Sequence, residues 1–258
     1  DARHVEVQFL VSADGAATTF GVRDCSLQRR HQKVIEETPS PVLSPVEESR
    51  LTEATARLAE AAGYRGVGTA EYLFTPSDRT ASFCEVNARL QVEHTVTEMV
   101  WGIDLVRAQI DVALWRASER SPGPRGWAVE ARLAAEDPER GFAPAPGRVL
   151  VHRPPAGPNV RVDAGIRAGT TVPPEFDSMI AKVLAWGPTR ERALSTLARA
   201  VGEYEVLIED GSTNRGALMD LLSRREVRDA ACSTTWLESV DDLGAEGRRA
   251  GSFVALAV

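Results

Sequence analysis

Nine residues, Glu85-Val-Asn-Ala-Arg-Leu-Gln-Val-Glu93, carry a polar side chain at every second position. An extended chain points Glu85, Asn87, Arg89, Gln91 and Glu93 to one face and Val86, Ala88, Leu90 and Val92 to the other. A helix would scatter the same residues around its axis, so the segment demands a sheet. Asn, Glu and Gln are poor strand formers, and a merely solvated edge would more often use Thr, Ser or Lys, so the polar face reads as functional. The preceding strand, about 67 to 74, carries Glu71, and the Thr75-Pro-Ser-Asp-Arg79 turn can bring Glu71 opposite Glu85. Two facing carboxylates repel unless a cation sits between them. Hard oxygens with an amide oxygen nearby suit Mg²⁺ or Mn²⁺, and magnesium usually arrives with phosphates. A nucleotide is implied.

The cations are unevenly supplied. Of 30 basic residues 28 are arginine, leaving only Lys33 and Lys182 where a compact ammonium is required. Lys33 ends the polar stretch Arg23-Asp-Cys-Ser-Leu-Gln-Arg-Arg-His-Gln-Lys33, in which positions 29 to 33 hold four potential cations. The plain reading is a solvated basic loop, or a run like a nuclear-localisation signal. The adjoining Glu36-Glu37 and a net charge of −7 weigh against a nucleic-acid partner and leave a local anion site as the sharper reading.

The remainder predicts an α+β chain in two units, with no internal repeat. His4 to Phe9 alternates, Asp14-Gly15 turns, and residues 18 to 22 resume the pattern, a β-hairpin. His4, Glu6 and Gln8 share one face of it, a weak signal alone. A helix starts at Ser44 with Pro45 and a capping box through Glu47, ends at Gly63, and turns Leu51, Ala54, Thr55, Leu58 and Ala62 inward. Strands follow at 67 to 74 and 82 to 92. A short helix runs from Thr97 to Gly102, and another, capped by Asp104, carries Val106, Ile110, Ala113 and Leu114 on one face. Residues 118–126 (Ser-Glu-Arg-Ser-Pro-Gly-Pro-Arg-Gly) read as a linker. Strands at 127 to 134, 147 to 153, 159 to 163 and 179 to 186 precede a helix capped by Thr189, burying Leu194, Leu197, Ala198 and Val201. A last helix buries Leu218, Leu221 and Leu222, and Trp236, Leu237 and Val240 read as a docking tail. His152 suggests a sheet surface. Glu130, Arg132, Asp177 and Lys182 could each be ordinary ion-pair participants. Three separated cysteines indicate neither a disulfide framework nor a zinc site and favour a reducing, cytoplasmic compartment. No apolar run approaches the ~20 residues of a membrane helix. The start at Asp1, inside a strand pattern, predicts a piece of something longer.

Three strings meet one family. Arg23 to Glu37, Glu85 to His94 (Glu-Val-Asn-Ala-Arg-Leu-Gln-Val-Glu-His) and Phe176-Asp-Ser-Met-Ile-Ala-Lys182 resemble the biotin carboxylase component of biotin-dependent carboxylases, in that family's order and at nearly its spacing. The resemblance runs from His4 to about Leu222. It implies the later part of an ATP-grasp domain (1–117), the linker 118–126, a biotin carboxylase C-terminal domain (127–232) and a tail (233–258). It further implies that MgATP activates bicarbonate as carboxyphosphate, which then carboxylates biotin on a carrier. By motif, His4, Gln28, His31, Glu71 and Leu73 would contact ATP, and Glu71, Glu85 and Asn87 would hold the divalent ions. Lys33, Arg89, Gln91 and the Val92 backbone would bind bicarbonate. Glu93 would be the base, and Arg132 would stabilise the biotin enolate. A biotin carboxyl carrier, a carboxyltransferase and a homo-oligomeric parent are the implied partners, and an acyl-CoA carboxylase the implied setting.

The family's nucleotide-fold domain and glycine-rich lid have no counterpart in the string, and the segment 208–214 fits only loosely. No Ala-Met-Lys-Met biotinylation sequence occurs. The expectation is therefore that the 258 residues alone turn over little. Two rivals stand beside this reading: a non-catalytic truncated module acting in assembly, and another ATP-grasp ligase such as a carbamoyl-phosphate synthetase.

Overall fold

The computed structural model describes residues 2–117, 121–240 and 243. The chain divides into two compact units, one running to Val129 and regaining Cys232–Leu237, the other spanning Glu130–Ala231. The division lies inside a strand rather than at the expected linker. Ser118, Glu119 and Arg120 of that linker lie outside the described residues. Its remaining part is docked: Ser121 Oγ donates to the Trp101 carbonyl, and Arg125 N donates to Val100 O at 2.8 Å.

In the first unit β1 (Arg3–Val11), β2 (Ala17–Arg29), β3 (Gln32–Thr38), β4 (Gly66–Thr75) and β5 (Thr80–Asn87) form one sheet in the order β3-β2-β1-β4-β5. The pairs β1–β2, β2–β3, β1–β4 and β4–β5 are antiparallel. Strand alternation decides what each face does. Val5, Val7, Phe9 and Val11 of β1 lie with Leu51 and Ala59 of α1 (Pro45–Ala61). The opposite β1 face presents His4, Glu6 and Gln8, then Leu10, which joins Phe20, Val67, Leu105, Ala108 and Val112 under α3 (Leu105–Ala113). One sheet face is thus apolar at one end and polar at the other. Gly68 permits close packing, because a Cβ there would meet the Phe9 ring at 2.4 Å.

Helix α1 has the expected capping box: Ser44 accepts from Glu47 N, and the Glu47 carboxylate accepts from Ser44 N, a reciprocal cap that stabilises by about 1 kcal/mol. Its buried stripe is Leu51, Thr55 and Ala59, whereas Leu58 is exposed. Helix α3 also differs from expectation: it buries Leu105, Ala108 and Val112, while Val106, Ile110 and Leu114 face outward. Apolar residues occupy two of its faces, and the sheet selects one. Helix α2 (His94–Trp101) begins three residues before the expected start and stops at Gly102, whose φ of 60° is the left-handed C-cap that favours glycine.

The polar stretch Arg23 to Glu37 is not a solvated loop. It forms the end of β2, the start of β3 and the turn between them, where Arg30 and His31 take φ of 49° and 63°, as a two-residue type I′ turn requires.

Strand β6 (Trp127–Ala134) carries the chain into the second unit, where β10 (Val160–Ala164), β12 (Met179–Gly187) and β6 lie side by side in that order. Two short strands, β7 (Glu136–Asp137) and β8 (Ala143–Pro144), pair with each other. Strand β9 (Gly147–Arg153) runs between β11 (Thr171–Val172) and β13 (Glu205–Ile208), and β11 and β13 are strands the sequence pattern did not reveal. Helix α4 (Arg190–Glu203), capped by Thr189, buries Ala193, Leu194, Leu197, Ala200 and Val201, with Ala198 half-buried. Helix α5 (Arg215–Ser223) buries Leu218, Leu221 and Leu222 as expected, and α6 (Arg225–Arg228) follows. The first residues of the segment read as a tail, 233–237, belong to the first unit. Thr234 N donates to Ala2 O at 3.0 Å, Arg3 donates to the Cys232 carbonyl, and Leu237 is buried.

Candidate active site

The polar end of the first unit's sheet collects most of the residues singled out above. Antiparallel register sets Glu6 opposite both Arg23 and Glu71, His4 opposite Leu73, Gln28 opposite Lys33, and Glu71 opposite Glu85. The last pair is the one the turn at 75 to 79 predicts. As direct cross-strand partners the two carboxylates share a face, and past the register shift between Glu71 and Tyr72 the Phe83 ring stacks edge-on against Tyr72.

The nine-residue alternation is only partly a strand. Strand β5 ends at Asn87, residues 88 to 92 run irregularly, and Glu93 is the N-cap position of α2. The reason lies in the partners that turning inward supplies. Gln91 Nε2 donates to Glu71 Oε1 at 2.8 Å, and Glu93 receives the Lys33 ammonium. Arg89 stays exposed at the rim, donating to Asn87 Oδ1 at 3.2 Å and to the Leu90 carbonyl.

Lys33 is the centre of the charge pattern. Its Nζ lies 2.6 Å from Glu6 Oε2, bonds Glu93 Oε1, and is 3.7 Å from Glu71 Oε1. Burial works against its ammonium, but the surrounding carboxylates outweigh that and hold its pKa well above the ordinary lysine value. For Glu6, burial pushes the carboxyl up, yet Arg23 and Lys33 win and bring it down to about 2. Glu71 follows the same balance: burial raises it, while the His4 hydrogen bond, Lys33 and Gln91 lower it to about 2. Cys25, beside Glu6 and Glu93, is raised well above the usual thiol range by burial and by those carboxylates, so it stays a neutral thiol.

His4 joins the cluster through Nε2, 3.0 Å from Glu71 Oε2, and through Nδ1, 3.2 Å from Gln28 Nε2. Leu73 is 41% exposed beside it, an apolar surface next to the polar group. His31 is not brought in: it sits exposed at the hairpin tip. Val92 is half-buried between Gln91 and Glu93. Arg132 belongs to the second unit, on β6, where its carbonyl accepts from Asn214 Nδ2 at 3.0 Å and Asn214 Oδ1 accepts from Ala134 N at 2.9 Å. In that unit Lys182 is buried opposite Asp163, with 3.7 Å between Nζ and Oδ2.

Oxygen ligands for a divalent cation gather around Glu71. Asn87 Nδ2 lies 3.0 Å from both Glu71 Oε1 and Glu85 Oε1, so two carboxylates and an amide converge on one point. A half-turn of the amide replaces its nitrogen with its oxygen, completing the hard donor set that Mg²⁺ or Mn²⁺ takes. His4, Glu6 and Glu71 also bring ligand atoms within 4.8 Å of one another. There the Glu6 carboxylate is already bonded to Arg23 and Lys33, whose positive charges oppose a metal. The residues fit the ion at Glu71, Glu85 and Asn87.

The strand-face signal of His4, Glu6 and Gln8 was the only trace of Glu6 in the sequence. Arg23 stood in the polar stretch and Thr97 at the expected helix start, but nothing in the sequence showed that both are fully buried and bonded to each other.

Known proteins resemble this chain along most of its length. The family description "Carbamoyl-phosphate synthase L chain, ATP binding domain" matches residues 1–117, and "Biotin carboxylase C-terminal domain" matches residues 130–239. Biotin carboxylase 1 of Bacillus subtilis is 40% identical over 247 residues, covering 95% of this chain and 54% of that protein. The biotin-dependent acyl-coenzyme A carboxylase alpha3 subunit of Mycobacterium leprae is 46% identical over 206 residues, covering 79% of this chain and 34% of its own. The biotin carboxylase domain of a thermophilic 2-oxoglutarate carboxylase, solved with bicarbonate, superposes with a TM-score of 0.86 at 34% identity, covering 92% of this chain and 54% of that one. The chain belongs to the biotin carboxylase family of ATP-grasp proteins. It spans between a third and about half of these relatives' own length.

Proposed function

We propose that the protein carrying this chain is an ATP-dependent biotin carboxylase, a ligase that activates bicarbonate as carboxyphosphate and carboxylates biotin on a carrier. The observation that supports it most is the Lys33 ammonium held between Glu6 and Glu93 beside the Glu71, Glu85 and Asn87 oxygens. Attack of bicarbonate on the γ-phosphate brings two anions together, which requires fixed positive charge at the reacting oxygens. Lys33 and Arg89 supply it from the protein, Lys33 as a point charge and Arg89 as a two-pronged donor. Glu71, Glu85 and Asn87 would hold Mg²⁺ or Mn²⁺, which neutralises phosphate charge when bound. His4, Gln28 and Leu73 border the nucleotide, with His31 at the hairpin tip. Gln91 and the Val92 backbone orient bicarbonate. Glu93 is the base that takes its proton, and its bond to Lys33 keeps the carboxylate aimed. Arg132 stabilises the charge that develops on the biotin carbonyl oxygen. By this assignment residues 1–117 and 127–232 form the two functional domains, joined through 118–126.

The finer reading is an acyl-CoA carboxylase, working with a biotin carboxyl carrier and a carboxyltransferase, supported by the 46% identity to the Mycobacterium leprae subunit. The acceptor belongs to the carboxyltransferase, and the 2-oxoglutarate carboxylase domain has nearly the same fold.

The test is bicarbonate-dependent ADP release, with free biotin as acceptor, by an enzyme that carries this chain within the full biotin carboxylase length. Release that needs both bicarbonate and MgATP is the expected result, and none under saturating MgATP rejects the proposal. The 258 residues by themselves should show little turnover.

A further inference from the structure

Arg23 is 1% exposed, and all five of its N–H groups have acceptors. Nε donates to Glu6 Oε1 at 2.7 Å, and Nη1 donates to Gln8 Oε1 at 2.6 Å and Thr97 Oγ1 at 3.0 Å. Nη2 donates to Thr69 Oγ1 at 3.2 Å and Gln91 Oε1 at 3.4 Å. The acceptors come from β1, β4, α2 and the irregular segment after β5. A buried guanidinium needs one carboxylate for charge balance. It does not need four further acceptors drawn from three more elements, and a planar fork fixes those acceptors relative to one another.

We propose that Arg23 is the positioning residue for bicarbonate activation: its fork orients Gln91, Glu6 and the start of α2, and through them Lys33 and Glu93. The inference rests on the assignment of bicarbonate and base roles above. Three links carry it. Because Arg23 takes the Gln91 oxygen, the Gln91 nitrogen is left to face Glu71. Because Arg23 Nε takes Glu6 Oε1, Glu6 Oε2 is the oxygen that receives Lys33, which in turn bonds Glu93. The bond to Thr97, in the first turn of α2, ties down the helix whose N-cap is Glu93. The base, the ammonium and the orienting amide are all set by one side chain that touches no substrate.

Arg23→Lys keeps the charge and removes the fork. In the 258-residue chain, amide exchange at His94 to Thr97 should quicken by about tenfold relative to the α1 amides. In the full-length enzyme, kcat/KM for bicarbonate should fall about 100-fold while KM for MgATP stays within about twofold, since small displacements at a reacting centre are that costly. Thr97→Val, nearly isosteric, should show the same selective pattern at about threefold and serves if the lysine variant does not fold. Unchanged exchange at His94 to Thr97 overturns the inference, as does quickening shared equally by α1, or a KM for MgATP raised by as large a factor as kcat/KM for bicarbonate falls. A wild-type enzyme without bicarbonate-dependent ADP release, together with selective exchange, sinks the reading of function and the catalytic half of this inference, leaving Arg23 as the organiser of α2.

Discussion

The floor and the rim of the site are built on opposite plans. On the floor, Glu6, Arg23, Gln91 and Glu93 are buried and Lys33 nearly so, and these groups bond one another across β1, β2, β3 and the segment that leads from β5 into α2. At the rim, Glu85 and Arg89 are exposed and hydrogen-bond with Asn87 or the neighbouring backbone. The floor's geometry is set by the fold before any ligand arrives, whereas the rim can rearrange around a cation and its phosphates. Preorganised charge is what a proton transfer needs. Adjustable oxygens are what a metal that arrives with its substrate needs.

The contrast can be broken most forcefully from below. Glu6→Ala leaves Arg23 and Lys33 without their shared carboxylate and should cost about 3–5 kcal/mol of stability. Urea denaturation of the chain measures it, and a loss under about 1 kcal/mol would show that the floor is not a mutually dependent network. Lys33→Arg preserves charge but not shape, and should lower bicarbonate-dependent turnover of the full-length enzyme by about 100-fold. Near-normal turnover there would refute the point-charge role. Acid should separate the two regions next. The Glu6 and Glu71 carboxyls, held at about 2 when folded and near 4.5 ordinarily, are protonated first in the unfolded chain. The stability they contribute is complete above about pH 4.5 and is lost as pH falls toward about 2. Denaturation midpoints should therefore decline over that window, less steeply in Glu6→Gln, and parallel profiles for the two proteins would exclude Glu6 as the source. The smallest effect belongs to the rim: Glu85→Gln, without metal, should change stability by less than about 0.5 kcal/mol. A larger loss would mean that the rim also holds the fold together.

What the sequence made legible was local or periodic. The capping box at Ser44 and Glu47 depends on residues three apart, and the Glu71–Glu85 pairing depends on a short turn with alternation on both sides. Both appear as expected. The end of β5 at Asn87 was hidden because the polar alternation continues to Glu93 while the backbone leaves the sheet to reach buried partners. Helix α3 has apolar residues on two faces, Leu105, Ala108 and Val112 on one and Val106, Ile110 and Leu114 on the other. Period alone could not choose between them. Arg23 was hidden most deeply, since a charged residue in a polar stretch is expected at the surface. Only the convergence of distant acceptors makes its burial tolerable. In the site itself, Glu71, Glu85, Lys33 and Glu93 were readable as chemistry-bearing types. The bonds that aim them were not, because they join residues up to 74 positions apart.

Residues 232–237 return to the first unit after Glu130–Ala231 of the second have been traversed. Arg3 binds the Cys232 carbonyl and Asp24 together, so the strand that carries His4 and Glu6 is clasped by a segment more than two hundred residues downstream. During synthesis the first unit cannot be finished when residues 1–129 emerge, and must wait with β1 unclasped until the ribosome has delivered Cys232. Stopping the chain after Ala231 should therefore leave the first unit measurably more sensitive to protease than the full 258 residues, making the order of translation part of how the site is completed.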